Sequence, residues 1–249
     1  MNQTSSTDAS PLKVSAVVSA LRFWSAILTA VFAAAFILAG ILTPPRSGPF
    51  APVANIIPYP YTDVAAFIPN DYLWLYPGIL LALIFIVLVV CIHSYASSDR
   101  KIFSHIALSF AVIYATIILI DYFIQFTIVI PSILTGETAG LSLFTQYNPH
   151  GFFIALETLG YSMMSGAFLF IAAVFAGGKL ERALRWILIT GFVVAVLFFT
   201  ALSFLNYDLI AFEVTILTIN SIVLIVSGVL LSIVFRRAAR GGSVSARAV

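Results

Sequence analysis

YLWLYPGILLALIFIVLVVCIH, residues 72–93, holds no Asp, Glu, Lys or Arg over 22 positions. At 1.5 Å per residue a helix of this length covers about 33 Å, the thickness of a bilayer's hydrocarbon core. Five further apolar runs of comparable length flank it. The six are Phe23–Leu42, Tyr72–His93, Ile102–Ile130, Gly151–Phe175, Ala183–Leu205 and Leu209–Phe235. The chain as a whole is 61% hydrophobic and 9% charged, against about a quarter charged in soluble domains. The expected fold is therefore an all-α membrane protein, a single integral domain of six transmembrane helices. A polar N-terminus (1–22), a Pro-rich outer loop (43–70) and a basic tail (236–249) complete it.

The basic residues assign the sides. Lys13, Arg22, Arg100, Lys101, Lys179, Arg182, Arg185, Arg236, Arg237, Arg240 and Arg247 all fall in alternate connections, and only Arg46 falls in the others. Cytoplasmic loops carry the Lys/Arg excess, so both termini are expected in the cytoplasm of a cell-membrane protein. Scattered in this way, the basic residues make no nucleic-acid footprint. The lone Cys91 excludes an intramolecular disulfide and reads as a buried thiol.

Punctuation marks the ends of the runs. Asn70 and Asp71 are placed to cap the second run, Asp208 the sixth, and Asn148–Pro149 the fourth, with Gly177–Gly178 closing it. Trp74 and Tyr76 suit an interfacial aromatic belt. The third run exceeds a perpendicular span and is expected to tilt or project. The first run follows Lys13 and Arg22 as a signal peptide would, but its apolar stretch is long for one, and no small-x-small cleavage site precedes Pro44–Pro45. The Thr43–Asn70 connection holds seven of the eleven prolines, too many for a regular helix. Its apolar content suits a lid over the helix ends as well as a passive surface loop. Pro131–Asn148 forms the second outer connection.

Seven of the ten carboxylates lie outside or in the outer half of a span. Three are within spans: Asp121, Glu157 and Glu213. No Lys or Arg is expected at their depth. A carboxylate near the bilayer centre costs about 2.5–3.5 kcal/mol even on insertion scales, so such groups face a protein interior or a wet cavity. Polar neighbours recur at helical spacing: Tyr114, Asp121 and Gln125 on the third run; His150, Glu157 and Tyr161 on the fourth; Glu213, Asn220 and Ser227 on the sixth. Asp121 and Glu157, at similar outer-half depths on consecutive antiparallel helices, are expected to face one another. Gly160, Ser162, Ser165 and Gly166 allow close helix approach.

These residues frame the functional expectation. Asp121, Gln125, His150, Glu157, Tyr161 and Glu213 are the candidate ligand- or proton-binding groups. The leading reading is a small carrier or binder with an outward-facing acidic pocket for protons, metal cations or a cationic ligand. The alternatives are a membrane-embedded enzyme acting on a lipid or other apolar substrate, with His150 and Glu157 as acid and base, and a non-catalytic sensor or assembly partner. One imidazole with three carboxylates has no recognised metal-ligand spacing, so no metal site is assigned. The chain carries no P-loop, no GxSxG elbow and no CxxC pair. The most distinctive stretch is QYNPHGFFIALETLGY, residues 146–161.

Overall fold

A computed structural model describes residues 16–43, 57, 61–205 and 209–245. The described residues are helical apart from short connections, and contain no strand. Seven α-helices follow in order: α1 Ala16–Leu42, α2 Leu75–Tyr95, α3 Lys101–Ile124, α4 Ile130–Thr135, α5 Phe152–Val174, α6 Lys179–Leu205 and α7 Leu209–Ser245. A π turn, Gln125–Val129, joins α3 to α4 in one continuous rod. Six helices are thus long and apolar enough to cross a membrane.

Several boundaries differ from expectation. α1 begins seven residues before Phe23, so Arg22 lies inside a helix. The third span runs through Pro131 to Thr135 and ends on Gly136, whose φ of 77° closes the turn. Proline lacks an N–H and its ring crowds the carbonyl one turn back. The wider π turn immediately before Pro131 is where the rod absorbs that defect. α5 starts at Phe152, because the Asn148 side chain accepts from the His150 N–H at 3.0 Å and holds a turn there. It ends at Val174, ahead of the two glycines. The N–H groups of Ala176 and Gly177 go instead to Glu181 Oε2. α7 continues through the basic residues to Ser245. Asp208, Arg46 and most of the Pro-rich loop lie outside the described residues.

Packing follows chain order with one closure. α3 packs most extensively on α5, and α1 packs on α7. A Cβ on Gly160 would sit 2.8 Å from the Ile118 side chain, and one on Gly166 3.0 Å from Phe110, so the small residues do set the α3–α5 approach. At α1–α7 the corresponding residue is Gly228, where a Cβ would lie 2.6 Å from the Ala26 carbonyl.

The basic residues gather at one end. Arg22 of α1 donates to the Ser94 hydroxyl (3.0 Å) and carbonyl (2.5 Å) at the end of α2. Arg100 donates to the Ala173 carbonyl at the end of α5 (3.0 Å). Both satisfy carbonyls that a helix leaves unpaired, where a cation also complements the helix dipole. Tyr95 donates to Glu181 Oε1 (2.6 Å), and the Arg236 guanidinium lies 4.5 Å from the Phe23 ring centre. His93 and His105 lie together at this end, with ring centres 4.2 Å apart and planes tilted by 32°.

At the opposite end the connections fold inward. Ile57, Tyr61, Val64, Leu141, Thr145 and Tyr147 are buried. Trp74 is 1% exposed and belongs to the core, while Tyr76 is the exposed member of the expected aromatic belt.

Candidate functional site

Asp121, Glu157 and Glu213 come from α3, α5 and α7, and each is at most 2% exposed. Their positions along the helices differ more than the sequence suggests. Asp121 lies about 21 Å before the end of the α3–α4 rod, and Glu157 only about 8 Å past the start of α5. They come within electrostatic reach, without direct contact, because the far end of the rod projects beyond the start of α5.

Glu157 is the hub. Its Oε1 accepts a short hydrogen bond from the Tyr122 hydroxyl. The carboxyl of Glu213 lies against it, and Asp121 stands within electrostatic reach of both. The Tyr122 hydroxyl also lies 3.3 Å from that of Tyr161. Tyr161 in turn neighbours Tyr114, with ring centres 5.5 Å apart. All three tyrosines are fully buried. The result is a run of hydroxyls and carboxyls, Tyr161–Tyr122–Glu157–Glu213, through the interior of the bundle, with the Tyr114 ring beside it and its hydroxyl without a hydrogen-bond partner among the described residues.

Aromatic side chains seal this run. Trp74 meets Tyr122 edge-on at 5.4 Å and Phe153 at 5.9 Å, and Phe36 stacks on Tyr161 at 6.1 Å. Further along, Phe85 abuts Tyr114 at 5.7 Å and Phe168 at 6.1 Å. Such walls keep the local dielectric low and strengthen each electrostatic interaction inside. Asp121 Oδ2 and Glu157 Oε2 have no hydrogen-bond donor among the described residues. The Arg100–Asp99 ion pair, at 3.6 Å, is remote at the basic end.

Of the expected site residues, the fold brings together Asp121, Glu157, Tyr161 and Glu213. Gln125 is buried one turn beyond Asp121, but its Nε2 donates to the Phe144 carbonyl (2.8 Å) and fastens a connection. His150 is exposed and precedes α5, so it does not join the Glu157 stripe and no His150–Glu157 acid–base pair forms. Asn220 donates to the Tyr161 carbonyl (2.8 Å) and accepts from Ser165 (2.9 Å), tying α7 to α5. Among the described residues no group of three His, Cys, Asp or Glu is placed to hold a metal ion. Tyr122 is the residue the sequence reading missed; its signal is the i, i+8 stripe with Tyr114 beside Asp121. Asp71 was also misread. It caps nothing and is buried with its Oδ2 accepting from Tyr147 (2.6 Å).

Chemically, the arrangement is suited to holding and passing protons. Two carboxylates are both acceptors, so their contact is satisfied only with a proton or cation between them. A tyrosine hydroxyl both donates and accepts, as a proton relay requires. Comparison with family models, curated proteins and solved structures gives no match.

Proposed function

We propose that this chain is a small multi-pass carrier in the cell membrane in which the Glu157–Glu213 pair, with Asp121, binds and releases a proton. The observation that carries this reading is the contact of two buried carboxyls in a bundle interior where no Lys or Arg partner is described. A buried charge without a partner costs several kcal/mol, so each change of occupancy at the pair is strongly coupled to the packing around it. The donor set favours the proton over metals, since the three carboxyls are not grouped as ligands of one ion. The enzyme alternative has lost its imidazole, because His150 is exposed on a connection.

The basic end, which gathers Arg22, Arg100, Lys101, Lys179 and Arg236, is assigned to the cytoplasm by the excess of positive charge. Both termini then lie in the cytoplasm, and the buried Glu157 site lies in the half of the bundle nearer the outer face.

The test is proton flux into proteoliposomes that hold a pH-sensitive dye, driven by an imposed gradient. Wild-type protein should acidify the lumen faster than protein-free vesicles. The Asp121→Asn/Glu157→Gln variant should fold and lose that flux. Unaltered flux in the double variant, or none in the wild type, sinks the reading.

A further inference from the structure

A second polar centre, separate from the Glu157 site, lies at the end of the bundle opposite the basic residues. It is built around the Tyr147 hydroxyl. That group donates to Asp71 Oδ2 at 2.6 Å and lies 3.3 Å from Gln146 Nε2. The same amide nitrogen reaches the Asp71 carbonyl at 3.3 Å, which also accepts from Trp74 Nε1 at 2.9 Å. Tyr72 stands beside both Tyr147 and Gln146. Asp71 is 0% exposed, Tyr72 1% and Tyr147 5%. Burial, with Tyr72 and Asp71 alongside, pushes the Tyr147 phenol above its usual range, so it remains a donor to Asp71 at any physiological pH.

Three oxygens at this centre have no hydrogen-bond partner among the described residues: Asp71 Oδ1, Tyr72 Oη and Gln146 Oε1. A structural latch would need only the bonds already made. Those bonds use one of roughly four acceptor positions on the Asp71 carboxylate. The rest of a buried carboxylate is costly without a compensating positive charge. Asp71 forms no ion pair among the described residues. The free donors are all oxygen, one from a carboxylate, one from a phenol and one from an amide. Hard oxygen ligands of this kind suit alkali and alkaline-earth cations rather than soft or imidazole-seeking metals. One formal negative charge is low for a divalent ion, which generally recruits more carboxylates, and suits a monovalent one. Gln146 as a residue is only half-buried, which puts the centre near the surface at that end, although the three oxygens themselves are covered.

We propose that Asp71, Tyr72 and Gln146 form a binding site for a monovalent metal cation, sodium or potassium, independent of the Glu157 pair.

The experiment is thermal unfolding of the solubilised full chain in sodium, potassium and choline chloride at equal ionic strength. Sodium or potassium should raise the melting temperature over choline in a saturable way. Asp71→Asn should melt alike in all three salts. Tyr72→Phe keeps the ring and removes one oxygen, and should weaken the apparent cation affinity roughly tenfold, a loss typical of removing a group that supports a metal site. It serves as the test even if the Asp71 variant does not fold. Equal melting of the wild type in the three salts overturns the proposal, as does a cation effect that survives in both variants. Equal melting together with a loss in Arg46→Gln that matches Asp71→Asn overturns it in favour of an arginine counter-charge.

Discussion

Tyr122 of α3 donates its hydroxyl to Glu157 of α5, and this bond, not a direct Asp121–Glu157 contact, ties the third and fourth spans together at the site. Glu157 also stands beside Glu213 on α7. One carboxyl thus links three helices, and the two contacts differ in kind. The tyrosine bond is satisfied whether or not Glu157 carries a proton, whereas the Glu213 contact needs a proton or cation between the partners.

That difference gives a stability prediction. Tyr122→Phe removes the donor to Glu157 and leaves its Oε1 unpaired in a dry interior, which should cost about 1–3 kcal/mol. Glu157→Gln keeps the shape, removes a buried charge, and should be near neutral or stabilising. In the Tyr122→Phe/Glu157→Gln variant the two effects should not add, with a coupling of roughly 0.5–3 kcal/mol. Thermal or denaturant unfolding in detergent measures the cycle. Strict additivity would show that the bond carries no energy.

The α1–α7 seam gives a second. Alanine is about 1 kcal/mol better than glycine in a helix interior, so Gly→Ala would ordinarily stabilise. At Gly228 the new Cβ would meet the Ala26 carbonyl at 2.6 Å and the Ala30 backbone nitrogen at 3.2 Å. Backbone atoms of a packed helix cannot turn aside, and overpacking costs about 1–3 kcal/mol. Gly228→Ala should therefore lower the melting temperature. Gly160→Ala meets side-chain atoms of Ile118 and Ile117 rather than backbone, and should be milder. A more stable Gly228→Ala protein would mean that α1 and α7 are not held this close.

The spans were legible because a run such as residues 72–93 has no competing fate, and the buried carboxylates because nothing at their depth neutralises them. Rotation about each helix was much less legible. α2 is apolar on every side, so nothing in it says which face meets α1, α3 or the lipid. Trp74 therefore read as an interfacial anchor although it is packed against Tyr122 and Phe153. Asp71 read as a cap because it stands before a helix. Its partner Tyr147 is 76 residues away, a pairing that only the fold creates. His150 failed for a local reason. Asn148 turns the chain by accepting the His150 N–H, and the helix that would have aligned His150 with Glu157 starts two residues later.

Orientation is the last prediction, and it follows from where the arginines sit. Arg22 and Arg100 each cross to a neighbouring helix and occupy carbonyls at the ends of α2 and α5, so one end of the bundle is basic by construction as well as by loop composition. Positive charge of this kind is retained on the cytoplasmic side during insertion. Ser98 and Gly178 are exposed at that end, and Glu137 is exposed at the other. A Cβ on Gly178 meets nothing within 4 Å, so a cysteine fits there without strain. With the buried Cys91 replaced by alanine, single cysteines at positions 98 and 178 should resist an impermeant thiol reagent in sealed cells and react after permeabilisation. A cysteine at position 137 should react in both. The reverse pattern would invert the orientation and place the Glu157 site toward the cytoplasm. Reaction at all three positions in sealed cells would mean that positions 98 and 178 do not share a sheltered side, which contradicts the bundle itself.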